Sequence, residues 1–429
     1  MNFISVLSNL LSEQLVTTIR DLVIPVMPIL LAYILFKLFW PLWINYVRSD
    51  TFAGRKFIVL EVKLPRDSFR SPAAMELFLN ALHNTSDGNF FAQYWKGEKR
   101  PGYSLEIISI EGKVKFMIYT EDQRKNGVMA ALYSQFPGIE VMEVPDYTRG
   151  VQLDPKESTM YAAEFIFTKE DVDKNIAHVY PIKTYVDYGL DKDPKEEFKV
   201  DPLTPMIEFL GSIGANQQVW FQFVIRAHVK EVQGTHRYFK KTDPYKDEGK
   251  KVIDTIMGRD PKTRIAGVKD KVSGRITPPT LSDGEKEIVK AIERNMAKPA
   301  FDVGIRAIYI AKKSVFDKPN GIGGIVGSFK HFSTENFNGL KPNGDKYSSR
   351  FSGLPWQDYK KMRETKQMKI ALEAYKRRSF FYDPIVSKHV IMSTEELATI
   401  YHFPGAVAAT PGLNRIPSKK YEAPSNLPI

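Results

Sequence analysis

From Leu22 to Val47 the chain reads LVIPVMPILLAYILFKLFWPLWINYV, an apolar run interrupted only by Lys37. A helix of that length spans a hydrocarbon core of roughly 30 Å. Arg20 and Asp21 precede it, and Arg48 and Asp50 follow it. Trp40, Trp43 and Tyr46 gather at its C-terminal end, where amphipathic rings favour the headgroup layer, and Lys37 is close enough to snorkel to the same interface. Leu22, Leu30, Leu31, Ile34, Leu38, Trp40 and Trp43 are therefore read as a membrane anchor, with Pro25, Pro28 and Pro41 nearer its ends than its middle. A secretory signal peptide would start earlier, be shorter and end at a small-residue cleavage site, so a retained transmembrane helix over 22–47 is expected. Its N-terminal flank carries Arg20 alone, whereas the other flank brings Arg48, Arg55, Lys56, Lys63, Arg66 and Arg70. The positive-inside rule then places the body in the cytoplasm. Phe3, Leu7, Leu10, Leu11 and Leu15 in the segment 1–21 fit either a short amphipathic helix on the outer interface or an extension of the anchor.

The remaining chain is long enough for two or three domains with cores of their own within 429 residues. Cysteine is absent, which excludes disulfides, thiolate metal sites and cysteine nucleophiles. The formal net charge of +11 favours anionic neighbours without choosing among lipid headgroups, nucleic acid and acidic proteins.

Hydrophobic patterning organises this body as α+β. Lys56 to Leu64 alternates like a half-buried strand, Ser71-Pro72 offers an N-cap with Pro at the first helical position, and a helix follows over Ala74 to His83. Tyr103 to Ile110 and Lys113 to Tyr119 alternate about Glu111-Gly112, a tight-hairpin signature. A helix over Asn126 to Phe136 and a strand over Ile139 to Val144 complete β-α-β-β-α-β, the ferredoxin-like order, within 55–150. A second pass within 158–340 has strand Tyr161 to Thr168, helix Thr204 to Ile213, strand Gln218 to His228, helix Ser282 to Ala297, strand Phe301 to Ala311 and helix Ile322 to Phe332. A polar, basic insertion at about 230–280 interrupts it. The segment 341–429 reads as a helical and extended tail: a helix over Trp356 to Arg377, a strand over Val386 to Met392, a capped helix over Ser393 to Tyr401, and a Pro-rich end.

Several runs resemble a family of membrane proteins from conjugation or type IV secretion-like systems of ultra-small candidate-phyla bacteria. They are KFIVLEVKLPRD (Lys56 to Asp67), SPAAMELFLNALH (Ser71 to His83), YSLEIISIEGKVKFMIYT (Tyr103 to Thr120) and RAIYIAKKSVF (Arg306 to Phe316). MSTEELATIYHFPG (Met392 to Gly405), with the later PSNLPI, is similar to the stretch that precedes the motor in coupling-protein and VirB4-like ATPases. In motor-bearing relatives the nucleotide-binding core would begin soon after a run such as Asn426 to Ile429, and the resemblance implies a motor-less member or split partner on the bacterial inner membrane. These motifs are structural rather than catalytic.

Motifs for chemistry are weak. GxxxxGK[ST] is absent, and GIGGIVGSFK (Gly321 to Lys330) reads as a strand-to-helix connection more readily than a phosphate cradle. The seven histidines, His83, His178, His228, His236, His331, His389 and His402, form no HExxH or HxH pattern, and GxSxG is absent. No catalytic residue, metal ligand or cofactor is assigned. Phe91, Tyr94 and Trp95 beside Lys96, Lys99 and Arg100 have the composition of a single-strand nucleic-acid platform, though packing at the end of a core is the favoured reading, because the rings are not spaced along a strand. Lys240, Lys241, Lys250 and Lys251 lie in the insertion, whose mixed charges suit a solvated loop or contact with phosphates.

The expected function is a non-enzymatic scaffold whose sheet edges and faces dock secretion-machine subunits, further copies of itself or a separate motor ATPase. The alternative is a membrane-tethered DNA- or RNA-binding module. A hydrolase assembled only in three dimensions is the remoter third.

Overall fold

The computed structural model describes residues 3–65, 71–86, 88–171, 177–191, 200–229, 231–232, 241–259, 268–269, 276–277, 281–344, 358–382, 385–405, 412–413 and 415–416. They fall into two compact units, one of residues 1–55 with 86–99 and one of 56–85 with 100–429.

The first unit is built on one helix, α1 (Phe3–Ala53), which runs without a break through Pro25, Pro28 and Pro41. Its stretch Ile24–Ala53 is long and apolar enough to cross a membrane, and protein covers none of its apolar window. Residues 3–21 thus continue the apolar helix in the backbone. The aromatic segment adds a single turn, α3 (Phe90–Tyr94), started by Asn89, whose side chain accepts from the Ala92 N–H at 2.8 Å.

The second unit is a mixed α/β body on one sheet. Its first pass is β1 (Phe57–Pro65), α2 (Pro72–Leu82), β2 (Gly102–Ile110), β3 (Lys113–Glu121), α4 (Lys125–Gln135) and β4 (Glu140–Val144). In space the strands run β2-β3-β1-β4, all neighbours antiparallel. The second pass is β5 (Ser158–Phe167), α5 (Thr204–Gly211) and β6 (Gln217–Ala227). An insertion then holds the two-residue strands β7 (Glu231–Val232), β8 (Lys241–Thr242), β9 (Val268–Lys269) and β10 (Ile276–Thr277), with α6 (Pro244–Ile256) and α7 (Asp283–Ala297). It is followed by β11 (Ala300–Lys312), α8 (Gly323–Lys330) and β12 (Leu340–Asn343). These strands run β6-β11-β5-β12, again antiparallel, so the spatial order of the first pass recurs. β2 and β6 then pair antiparallel, from Gly102 opposite Arg226 to Ile110 opposite Gln218, and fuse the halves into one sheet.

Both faces of that sheet are buried, which is why its central strands read as near-continuous apolar runs. Leu60, Phe116, Phe221, Phe223 and Ile305 point to one face, where Phe78 of α2, Leu132 of α4, Ile207 of α5 and Phe329 of α8 close the main core. Val59, Ile108, Trp220 and Ile308 point to the other, under Leu372 and Tyr375 of α9 (Met362–Lys376).

The segment read as a tail is woven into this body. After β13 (Phe381–Tyr382) and β14 (Ile385–Val386), β15 (Val390–Ser393) pairs with Ala300–Val303 of β11, just beyond the reach of β5. α10 (Thr394–Ile400) is buried at every residue and starts with a complete Ser393/Glu396 capping box. β16 (Arg415–Ile416) lies parallel to Leu64–Pro65 of β1, just past the end of the β3 ladder.

Candidate functional sites: an aromatic cluster and a buried polar row

In the first unit, α1 and the segment around α3 build one aromatic cluster. The Tyr94 and Trp95 rings lie 5.6 and 6.3 Å from Trp40, and Phe91 stacks on Trp95 at 6.0 Å with planes 10° apart. Trp43 Nε1 donates to the Tyr94 carbonyl at 3.2 Å, and Thr51 Oγ1 to the Lys96 carbonyl at 2.6 Å. Gly97 has φ +64°, and a Cβ there would run into the Val47 carbonyl and the Arg48 backbone, so glycine permits the close approach. Lys99 Nζ sits 4.2 Å from the Phe52 ring centroid, a cation–π contact. Phe90, Phe91 and Trp95 nevertheless remain 65%, 56% and 48% exposed. Arg100 does not join them: it belongs to the second unit, where it donates to the Ala227 carbonyl at 2.6 Å and lies 3.8 Å from Asp302.

The basic insertion is not a plain loop. Asp243 caps α6 and Pro244 opens it, and Val252 and Ile253 pack against Val289 and Ile292 of α7. Lys250 projects from this helix to solvent, and Lys251 pairs with Glu248 at 2.7 Å. Lys241 belongs to β8, paired with β7, whereas Lys240 and His236 lie outside the described residues. The Asp-Pro cap and the spacing of Tyr245, Val252, Ile253 and Ile256 were the helix signals in a segment whose charge dominated its reading.

A second constellation lies on the α9 face of the sheet. Glu164 (β5), Arg306 (β11), Gln222 (β6) and Glu106 (β2) stand directly opposite one another across four strands. Met117 of β3 and Glu61 of β1 extend the row. Arg306 is fully buried and donates through Nη2 to Glu164 Oε1 at 2.6 Å and through Nη1 to the Ala374 carbonyl at 2.9 Å. Arg378, just after α9, donates to Glu106 at 3.0 Å and pairs with Asp146. Tyr147 donates to Glu106 Oε2 at 2.9 Å and meets the Tyr375 hydroxyl at 2.9 Å. Burial pushes both phenols well above their ordinary range, with the charge of Glu106 adding to it. Burial would depress the Arg378 guanidinium, but Glu106 and Asp146 hold it firmly protonated. Each ionised group faces a counter-charge, so the arrangement fastens α9 to the sheet. Its sequence signal was a lone polar residue recurring inside apolar strands (SLEII, AEFIF, WFQFV, GIRAI).

Other titratable groups are likewise engaged. His402 Nε2 lies 3.1 Å from both Asp201 oxygens; burial would lower its pKa, but the Asp201 charge raises it. Burial would raise the Asp302 carboxyl, yet hydrogen bonding by His228 at 2.6 Å and the charge of Arg226 hold it down at about 2. Glu395, almost fully buried, pairs with Arg294 at 3.0 Å and Lys298 at 2.8 Å, tying α10 to the end of α7. The glycines of the GIGGIVGSFK run serve packing: a Cβ at Gly321 would collide with the Tyr309 ring, and one at Gly324 with the Phe209 ring.

An apolar helix long enough to cross a membrane and a mixed α/β body cross-linked by internal ion pairs define the class of this protein. The chain belongs to the family described as Domain of unknown function (DUF8128), whose model matches residues 51–415. No curated protein matches it. The matched region starts beyond the apolar run and extends into β16, so it takes in the aromatic segment and the woven C-terminal elements.

Proposed function

We propose that this protein is a non-catalytic, single-pass scaffold of the bacterial cell membrane. In this reading α1 crosses the bilayer and the body works in the cytoplasm as two ferredoxin-like units fused edge to edge. It docks neighbouring subunits, further copies of itself or a separate motor ATPase of a type IV secretion or conjugation-like machine. The observation that carries the reading is the buried polar row, which commits interior charges to holding a rigid platform rather than presenting them to a substrate. The recurrence of one strand order on either side of the β2–β6 joint supports the tandem reading. The secretion-machine context rests on the sequence resemblance.

Strand addition is the less favoured mode of docking. The outermost strands are short; β12 carries Lys341 and Pro342, and β4 carries Glu140 and Glu143, devices that discourage edge pairing. Partners are therefore assigned to the outer helix surfaces.

Size-exclusion chromatography with light scattering on detergent-solubilised protein tests the proposal, with and without single-stranded DNA at low and high salt. A discrete oligomer, or a complex with a secretion-type ATPase, that DNA leaves unchanged is the expected result. A monomer that captures no such ATPase from its own cells would overturn it. A species that shifts with DNA only at low salt would instead establish the nucleic-acid tether, because phosphate contacts weaken steeply with salt.

A further inference from the structure

The geometry points to α3 as a second membrane contact: Phe90, Phe91 and Trp95 enter the headgroup layer at the depth set by Trp40, Trp43 and Tyr46. This inference rests on the reading of α1 as a membrane helix.

Depth is fixed by direct contact. Tyr94 and Trp95 pack on Trp40, and Trp43 is hydrogen-bonded to the Tyr94 backbone, so the short helix is held at the aromatic end of the apolar run. It is also rigid, through the Asn89 cap, the Gly97 approach and the Thr51 hydrogen bond. Around one half-buried tyrosine, three large rings stay exposed beside Lys96 and Lys99, the combination of apolar rings and cations that a phospholipid headgroup layer accepts. A nucleic-acid platform needs free ring faces. Here Phe91 and Trp95 are stacked on each other, and Tyr94 lies between Trp40 and Phe90 at 5.6 and 4.6 Å. These ring-on-ring contacts already occupy faces that bases would stack on, and the apolar surface left exposed suits lipid better. Because residues 86–99 form an excursion between α2 and β2, the chain reaches the headgroup layer twice.

The absence of cysteine makes the test clean, since one introduced cysteine is the only thiol. Full-length Phe91→Cys, Phe90→Cys, Tyr33→Cys, Tyr46→Cys and Glu287→Cys variants each carry a nitroxide and are reconstituted into vesicles of phosphatidylcholine with phosphatidylglycerol. Relaxation by oxygen is compared with relaxation by a water-soluble nickel chelate. Labels at 90 and 91 should match position 46, with an oxygen-to-nickel ratio above that at Glu287, which is exposed on α7. The second label guards against loss of the Phe91 ring itself. If 90 and 91 behave like Glu287 while Tyr33 reports lipid, this inference fails and the anchor stands. Shielding from both reagents at 90 and 91 would overturn it in favour of a protein partner. Nickel access at Tyr33 would remove the anchor reading and this inference with it.

Discussion

Arg306 sits at the centre of the sheet with no exposed surface, and its charge is tolerated because Glu164, Gln222 and the Ala374 carbonyl take its hydrogens. Arg306→Met strands Glu164 and is expected to lower stability by about 3–5 kcal/mol, whereas adding Glu164→Leu should recover most of the loss. Denaturant unfolding of the detergent-solubilised protein checks both. Glu396 makes the complementary pH prediction. Burial pushes its carboxyl up to about 7 from an ordinary 4.5, against the pull of the Ser393 and Ile182 N–H groups. Folding then favours the protonated acid, so this residue's contribution is full below about pH 4.5 and is lost as pH rises through 7. Glu396→Gln keeps the acceptor of the capping box and should remove a slope worth about 3 kcal/mol across that window, read as the unfolding midpoint against pH. The polar row was half legible in sequence. Lone polar residues in apolar strands are a signal that the sequence reading passed over; which of them meet depends on register across strands distant in the chain, and Arg378 reaches Glu106 only through the packing of α9.

Elements with strong local signals formed where the sequence places them. The Glu111-Gly112 turn has both residues at positive φ, 52° and 81°, as a two-residue hairpin requires. A Cβ at Gly112 would also meet the Ile213 carbonyl, so Gly112→Ala should cost roughly 1–3 kcal/mol, visible as a lower thermal midpoint. The capped start of α10 and the Ser71-Pro72 start of α2 were legible for the same reason, since a cap is a contact between near neighbours. What escaped were elements whose stability comes from elsewhere. β12 is too short to alternate and exists because β5 offers a ladder. α6 was masked by charge, whereas the strand read over Val386 to Met392 did form in part as β15, and only its place in the sheet was hidden, because its partner β11 is remote in sequence.

For the whole molecule, the long apolar helix was the most legible feature, because an apolar run of that length needs no tertiary context. The protein should stay with membranes through high-salt and alkaline washes, and a single cysteine at Glu287 should be modified by an impermeant maleimide only once spheroplasts are opened. Labelling of intact spheroplasts would reverse the assigned topology. The sequence could not reveal that its two halves share one sheet, since β2 and β6 meet as strands from separate passes. The place of β1 within the sheet carries a mechanical consequence. α1 ends at Ala53 and β1 begins at Phe57, flanked by β3 along one edge and β4 along the other. A force directed along β1 shears both rows of hydrogen bonds together instead of unzipping them singly, so in a force-clamp experiment that pulls β1 along its own axis this strand should yield last.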